Sequence, residues 1–395
     1  MPNVNPKILI WARETAGFSV EQAARKLQLT DTKTTTATRK LLAYESGKQP
    51  PSRALLARMA KQYRRPLLVF YMPSPPRKAD RGEDYRTLHS DIDSAEEAIV
   101  DALVRRIKAR QSLLKEALLS EGDAEILPFI GSYSMDKGVT GLVKEISGTA
   151  SLHLNEYRAT TTKNDALKYL RARIEDLGIF TVLAGNLGTH HTNITPNVFR
   201  GFALSDEIAP FIVLNDQDAK TAQCFTLLHE AAHLWLGATG ISGAAGEQKI
   251  ERFCNDVASE ILLSDSDMQR DLRAPDMSDN EILMNWIDKF ATRRKISPGM
   301  VAYRLFRRGA IGQSRFETLT ATFHERWRDS KTKKQKKDGG PDYYVVKRHQ
   351  IGNALLNTAQ RMLASGELST TQIGTVLDVR AIKVGNLFSG SGQVA

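Results

Sequence analysis

The sequence predicts an α+β chain. It comprises an all-α N-terminal domain, a core in which a small sheet precedes a helix rich in metal-ligand side chains, and a helical C-terminal region. Three observations predict it. Apolar residues recur at helical spacing from Pro6 to Tyr63 and again from Ser94 to Leu177. Between Ile179 and Asn215 the pattern changes to short β-branched and aromatic runs bounded by Gly, Pro and Asn. From Phe225 the helical period returns and carries His229-Glu230-Ala231-Ala232-His233.

At 395 residues the chain is long for one domain, so several are expected. The composition shifts divide it into residues 1–72, a linker at 73–83, a central domain at 84–275, a small helical module at 276–325, a basic linker at 326–342 and a helical region at 343–395. An apolar fraction of 41% is enough for packed cores. The longest apolar run, around Pro66–Met72, is far too short to span a bilayer. The start, Met1-Pro2-Asn3-Val4-Asn5-Pro6, lacks the charged-then-apolar layout of a signal peptide. Two cysteines make no disulfide framework. The expectation is a cytoplasmic protein with no membrane partner.

Charge is uneven. Residues 1–78 hold 15 Lys/Arg against 4 Asp/Glu, and residues 326–348 hold 9 against 3, whereas the whole chain is only +10. The remainder is therefore acidic, and the basic N-terminal end points to a polyanion.

Pro6–Ala16 reads as a first helix, closed by Gly17-Phe18. Ser19-Val20-Glu21-Gln22 has capping-box spacing and opens a second helix with Val20, Ala23, Ala24 and Leu27 inward. A third helix runs from about Thr36 to Tyr44, and Leu55, Leu56, Met59 and Tyr63 mark a fourth. Helix, connection, helix on a basic background is the layout of a helix-turn-helix DNA binder. Arg39, Lys40 and the preceding threonines are the expected groove or phosphate contacts, and Lys33 and Lys48 the expected phosphate contacts. Leu42-Ala43-Tyr44-Glu45-Ser46-Gly47-Lys48-Gln49-Pro50-Pro51 resembles the end of the recognition helix in XRE/Cro-type domains. The Thr-rich link Leu29–Thr38 is longer than that family's usual turn. A helical module that binds protein instead is the competing reading.

Pro73–Asp84 reads as a linker. Ser94–Leu119 is a long helix, followed by helices at Lys144–Tyr157 and Thr162–Leu177. Strands are expected at Ile179–Leu183, Val198–Leu204 and Pro210–Asn215. An extended substrate can add to the edge of such a sheet.

The next helix is expected to begin near Asp218 and to end at Gly237. Four residues is just over one turn, so His229 and His233 share a face and can hold one zinc ion, with Glu230 between them as general base. Zinc requires a third protein ligand. In Glu251-Arg252-Phe253-Cys254-Asn255 the best placed is Glu251, with Asn255 one turn on as a hydrogen-bond partner for the outer nitrogen of a ligand histidine. Glu247, in the Gly243–Gly246 loop, and Cys254 are weaker alternatives. Glu260 is expected to face solvent, and Cys224 to point away from the metal.

Gly201-Phe202-Ala203-Leu204, Pro210-Phe211-Ile212-Val213-Leu214-Asn215, Phe225–His233 and Glu251-x-x-Cys254-Asn255-x-x-Ala258-x-x-x-Leu262-Leu263, in that order, resemble the ImmA/IrrE family of metallopeptidases. The resemblance covers about residues 84–315. With the N-terminal block it matches the subgroup fused to an XRE-type helix-turn-helix. It implies a zincin-like core, His229, His233 and Glu251 as zinc ligands, Glu230 as general base, and a site-specific endopeptidase that cuts a transcriptional repressor in stress responses or mobile elements. Two positions depart from the family: Cys254 stands where alanine is usual, and Ser264 where the motif commonly ends in proline. The oxyanion partner is not legible. His324, Tyr303 and His190/His191 are candidates by residue type.

Ile282–Phe290 and a helix from Ser297-Pro298 resemble a second helix-turn-helix. Lys331–Gly340 reads as a flexible basic linker, and Leu368–Ile373 and Val379–Phe388 as the starts of closing helices. Two functions remain open at this point. One is an active zinc endopeptidase brought to DNA or to a DNA-bound repressor. The other is a DNA-binding regulator whose zinc fold is a sensor or a latent protease.

Overall fold

The structure, a computed structural model, describes residues 4–76, 94–122, 124–189, 192–237, 244–271, 279–334 and 342–389. It is mostly helical with one three-stranded sheet, an α+β fold. The chain divides into two compact units, one of residues 1–107 with 186–194 and one of 108–185 with 195–395.

The first unit holds α1 (Pro6–Glu14), α2 (Val20–Lys26), α3 (Ala37–Glu45) and α4 (Arg53–Gln62), then a 3₁₀ turn at Leu67–Tyr71. Each helix start is written in the sequence. Asn5, Ser19, Thr36 and Ser52 each cap the helix that follows, and Ser19 with Gln22 forms the full capping box. Ile8, Leu9, Leu27, Leu41, Met59 and Phe70 fill the core. Arg13 on α1 holds Glu45 on α3 through a buried two-pronged pair, 2.8 and 3.2 Å. The Thr-rich link closes on itself. Thr32 and Thr35 hydrogen-bond to each other, and the Asp31 carboxylate accepts the Ala37 N–H at 2.6 Å.

A long helix, α5 (Ser94–Glu121), passes into the second unit. There Gln111 donates to the carbonyls of Leu204 and Ala209, at 3.1 and 2.8 Å. The helix expected at Lys144–Tyr157 is two, α6 (Val139–Thr149) and α7 (Leu154–Ala159), because Ser151 turns left-handed at φ 47° and breaks the ladder. α8 (Lys163–Glu175) follows its Thr162 cap. The strands are β1 (Phe180–Leu183), β2 (Gly201–Leu204) and β3 (Phe211–Leu214), in the order β1-β3-β2. β3 lies in the middle, parallel to β1 and antiparallel to β2.

Next come α9 (Lys220–Trp235), α10 (Ala244–Leu262), α11 (Asp265–Asp271), α12 (Asn280–Arg294), α13 (Pro298–Arg307) and α14 (Gln313–Lys334). The chain closes with α15 (Tyr343–Ile351), α16 (Asn353–Ser365), α17 (Thr370–Leu377) and α18 (Val384–Phe388). Several boundaries differ from the expectation. The cap of α9 is Ala219, one residue after the expected Asp218, whose carboxylate accepts the Ala219 N–H and pairs with Arg200. α10 begins at Ala244, so the expected Gly243–Gly246 loop is helical from there on. α10 as a whole packs against α6 and α9. Lys331–Lys334 are the last turn of α14 rather than linker, and residues 335–341 lie outside the described residues. Glu260 does not face solvent freely: it pairs with the Arg304 guanidinium and accepts the Asp265 N–H.

α9 packs against α8, α10, β2 and β3. Its C-terminus is fixed by the segment at 129–133. Gly131 and Tyr133 N–H donate to the Leu234 and Trp235 carbonyls at 2.9 Å, and Phe129 stacks on Trp235 at 4.4 Å. Gly237 is left-handed at φ 66°, and a Cβ there would come within 2.9 Å of the Gly131 Cα.

The C-terminal helices cover the β1 side of the sheet, and α15 and α16 both pack on β1. A buried ion pair on α8, Arg171–Glu175 at 2.9 Å, carries this junction. Arg171 donates to the His349 and Gln350 carbonyls. Glu175 accepts the N–H groups of Asn353 and Ala354, and so caps α16, which has no side-chain cap of its own. Glu175→Ala should cost about 3–5 kcal/mol, because it leaves a buried guanidinium unpaired and a helix uncapped. Thermal unfolding and amide exchange at Asn353 and Ala354 measure the effect.

Among the described residues no helix is long and apolar enough to cross a membrane.

Candidate metal centre

His229 and His233 sit one turn apart on α9, and both are buried. Their Nε2 atoms are 3.1 Å from each other. Glu251 reaches in from α10, with Oε2 at 3.2 Å from His229 Nε2 and Oε1 at 3.2 Å from His233 Nε2. Two imidazole nitrogens and two carboxylate oxygens this close require a cation, either a proton or a metal ion. With one ligand atom from each residue the donors lie within 4.8 Å of one another, and the three side chains form the one potential metal-binding group found among the described residues. The Glu251 side chain is 39% exposed against 11% and 6% for the histidines, so the group opens on its glutamate side.

The electrostatics fit the geometry. Burial alone would raise the Glu251 carboxyl, but hydrogen bonds to His229 and His233 hold it well below the usual carboxylate range. Burial disfavours a charged His233, yet Cys254, Glu251 and Glu230 outweigh it and raise its pKa. The Glu230 carboxyl is pushed up by burial, and the two imidazoles oppose the shift.

Glu230 points to the sheet. The Ala203 amide on β2 faces its carboxyl and works against the rise that burial causes. Gly201, two residues earlier, gives it room. A Cβ there would lie 2.5 Å from Thr226 Cγ2, 3.0 Å from the Val213 carbonyl oxygen and 3.2 Å from Glu230 Oε1. Neither Gly201 nor the Ala203 amide was singled out from sequence. The available signal was a glycine opening a strand beside a predicted helix, which marks close backbone approach.

Other expected residues are not at this centre. The Nδ1 atoms of His229 and His233 are buried without a hydrogen-bond partner, so the expected bond from Asn255 to a ligand histidine is not made. Cys254 is fully buried and is not part of the ligand group, and burial pushes its thiol up. Cys224 is buried beside Tyr157, and burial pushes its thiol up to about 12. The Glu247 side chain and His190/His191 lie outside the described residues. Tyr303 is committed to Asp256 at 2.7 Å, and Arg307 binds the same carboxylate. His324, on α14, is near Arg200 and Asp218. In the first unit Lys33, Arg39 and Lys48 are exposed, whereas the Lys40 ammonium donates to the Thr30 carbonyl at 2.8 Å.

Residues 179–306 match the family model described as the IrrE N-terminal-like domain of Peptidase_M78. The match runs from β1 almost to the end of α13 and contains all four residues of the centre. The match points to a metallopeptidase-like function for this segment, in line with the resemblance drawn from the motifs. No curated protein and no solved structure matches the chain.

Proposed function

We propose that the chain is a zinc-dependent endopeptidase with a DNA-binding N-terminal domain, and that it cuts a transcriptional repressor or related regulator. The observation that carries this reading is the meeting of His229, His233 and Glu251 within 3.2 Å, beside a buried Glu230 that faces β2. His229, His233 and Glu251 would hold the ion. Zinc, when bound there, supplies Lewis acidity to the scissile carbonyl and acidifies water.

The rest is the work of side chains and backbone. Glu230, facing the Ala203 amide, takes a proton from the attacking water and returns it to the leaving amine. An extended peptide lies along β2, the strand next to Glu230, and adds to the sheet through its main chain. Burial of both imidazoles keeps bulk water from competing for them.

The N-terminal unit brings the peptidase to its target. Lys33, Arg39 and Lys48 are its exposed cations toward phosphate or base edges, and Lys40 joins them only by releasing Thr30. A stress or mobile-element setting follows from the family resemblance.

The test is cleavage of a repressor encoded beside this gene. Chelation should stop cleavage, and added zinc should restore it at the same peptide bond. Cleavage that persists after complete metal removal would rule the reading out.

A further inference from the structure

We propose that α17 and α18 form a helix-turn-helix that lays its second helix in the major groove of duplex DNA. This site is distinct from the N-terminal unit and does not depend on the metal centre.

α17 ends at Leu377, and a 3₁₀ turn at Ala381–Lys383 leads directly into α18, so residues 378–380 join the two. A three-residue connection is the length this motif uses. Asp378 turns left-handed at φ 57° and so ends the first helix. Gly374 lets the two segments approach. A Cβ there would lie 2.8 Å from the Val379 carbonyl oxygen and 3.2 Å from the Ala381 nitrogen. Ile373, Val376, Leu377, Val384 and Leu387 are fully buried, which gives the pair a packed inner side. The outer side is exposed. Ile382, Gly385, Asn386 and Ser389 recur at helical spacing along one stripe, and Ile382 is 87% exposed.

That stripe has the chemistry of base reading. Ile382 fits a thymine methyl, and the exposed Arg380 and Asn386 carry the groups that pair with guanine and adenine edges. Asn386 is already oriented, because its amide donates to the Tyr344 hydroxyl at 3.0 Å. Lys383, whose ammonium is 3.8 Å from the centre of the Tyr343 ring, is suited to a phosphate at the border. Residues 343–389 hold five Lys/Arg against two Asp/Glu, and one of those acids, Asp378, pairs with Lys347 at 3.4 Å. A basic surface of this kind favours a polyanion over a second copy of itself.

The other helix pairs lack this combination. α12 and α13 are joined by a similar turn, with Lys295 left-handed at φ 59°. There, however, Tyr303 and Arg307 bind Asp256, and Arg304 binds Glu260 and Asp265. α2 and α3 are joined by the longer stretch 27–36.

The experiment titrates the full chain into two fluorescent duplexes at several salt concentrations. One duplex is taken from the promoter of this gene and the other is a scramble of it. Ile382→Glu should weaken binding to the promoter duplex on the order of tenfold. Arg380→Ala should lower the slope of log affinity against log salt by about one. Ile126→Glu, at a position 67% exposed and far along the chain, should stay within about twofold of the original. Losses from Ile382→Glu and from Arg39→Ala with Lys48→Ala should multiply, as separate surfaces require.

An unaltered chain that binds neither duplex in low salt overturns the proposal, and so does undiminished binding by Ile382→Glu. If Ile382→Glu changes nothing while Arg39→Ala with Lys48→Ala abolishes binding, DNA belongs to the N-terminal unit alone. If Ile382→Glu dissociates an oligomer and Arg380→Ala keeps the salt slope, the stripe joins two copies, which also overturns it. Circular dichroism of each variant detects misfolding, and Arg380→Ala carries the test if Ile382→Glu does not fold.

Discussion

Glu230→Gln should lower the cleavage rate by about 10²–10⁴-fold while leaving metal content unchanged. Glutamine has the shape of glutamate, and its carbonyl can still face the Ala203 amide. It is not a zinc ligand in the proposed arrangement, so the triangle of His229, His233 and Glu251 stays intact. What is lost is the proton acceptor. The assay is single-turnover cleavage of the candidate repressor, with metal measured on the same preparation. Wild-type cleavage by the glutamine variant would remove Glu230 from the chemistry. Loss of metal along with activity would mean that Glu230 supports the ion instead.

Gly201→Val should lower both stability and activity. A Cβ at this position meets Thr226 Cγ2 at 2.5 Å before any branching methyl is added. β2 and α9 must then separate, and overpacking of this kind costs about 1–3 kcal/mol. Because Glu230 Oε1 is 3.2 Å from the same point, the separation also moves the general base. Catalytic groups misplaced by about 1 Å lose on the order of 10²-fold in rate. Gly201→Ala should show the same trend more weakly. Adding Thr226→Ala should return part of the lost stability, because it removes the nearest atom. Urea unfolding and the cleavage rate together read this out. A valine variant as stable and as fast as wild type would show that strand and helix are not held as close as the geometry has them.

Much of the fold was legible because its signals are local. The capping box at Ser19 announced α2, and the expected helix starts at Thr36 and Thr162 are the caps of α3 and α8. The three strands were found from short apolar runs, although each came out shorter than its run. The His-Glu-x-x-His helix was legible from spacing, since one turn of helix puts both histidines on a face, whereas the choice of Glu251 over Glu247 and Cys254 leaned on the family resemblance. The misses lie at element boundaries: the break at Ser151, the start of α10 at Ala244 and the continuation of α14 to Lys334. Asn255 was chosen by counting one turn on from Glu251, but neither ligand imidazole finds a hydrogen-bond partner for its Nδ1. The Glu175 cap on α16 joins residues 178 apart, a distance that no periodicity reports.

The central claim is that His229, His233 and Glu251 hold one ion beside Glu230. Metal analysis of the purified full chain tests it most directly. The account predicts one zinc per chain in the wild type and in Glu230→Gln, and loss of that zinc in Glu251→Ala. A wild-type chain without stoichiometric metal, or a Glu251→Ala chain that keeps it, would contradict the account.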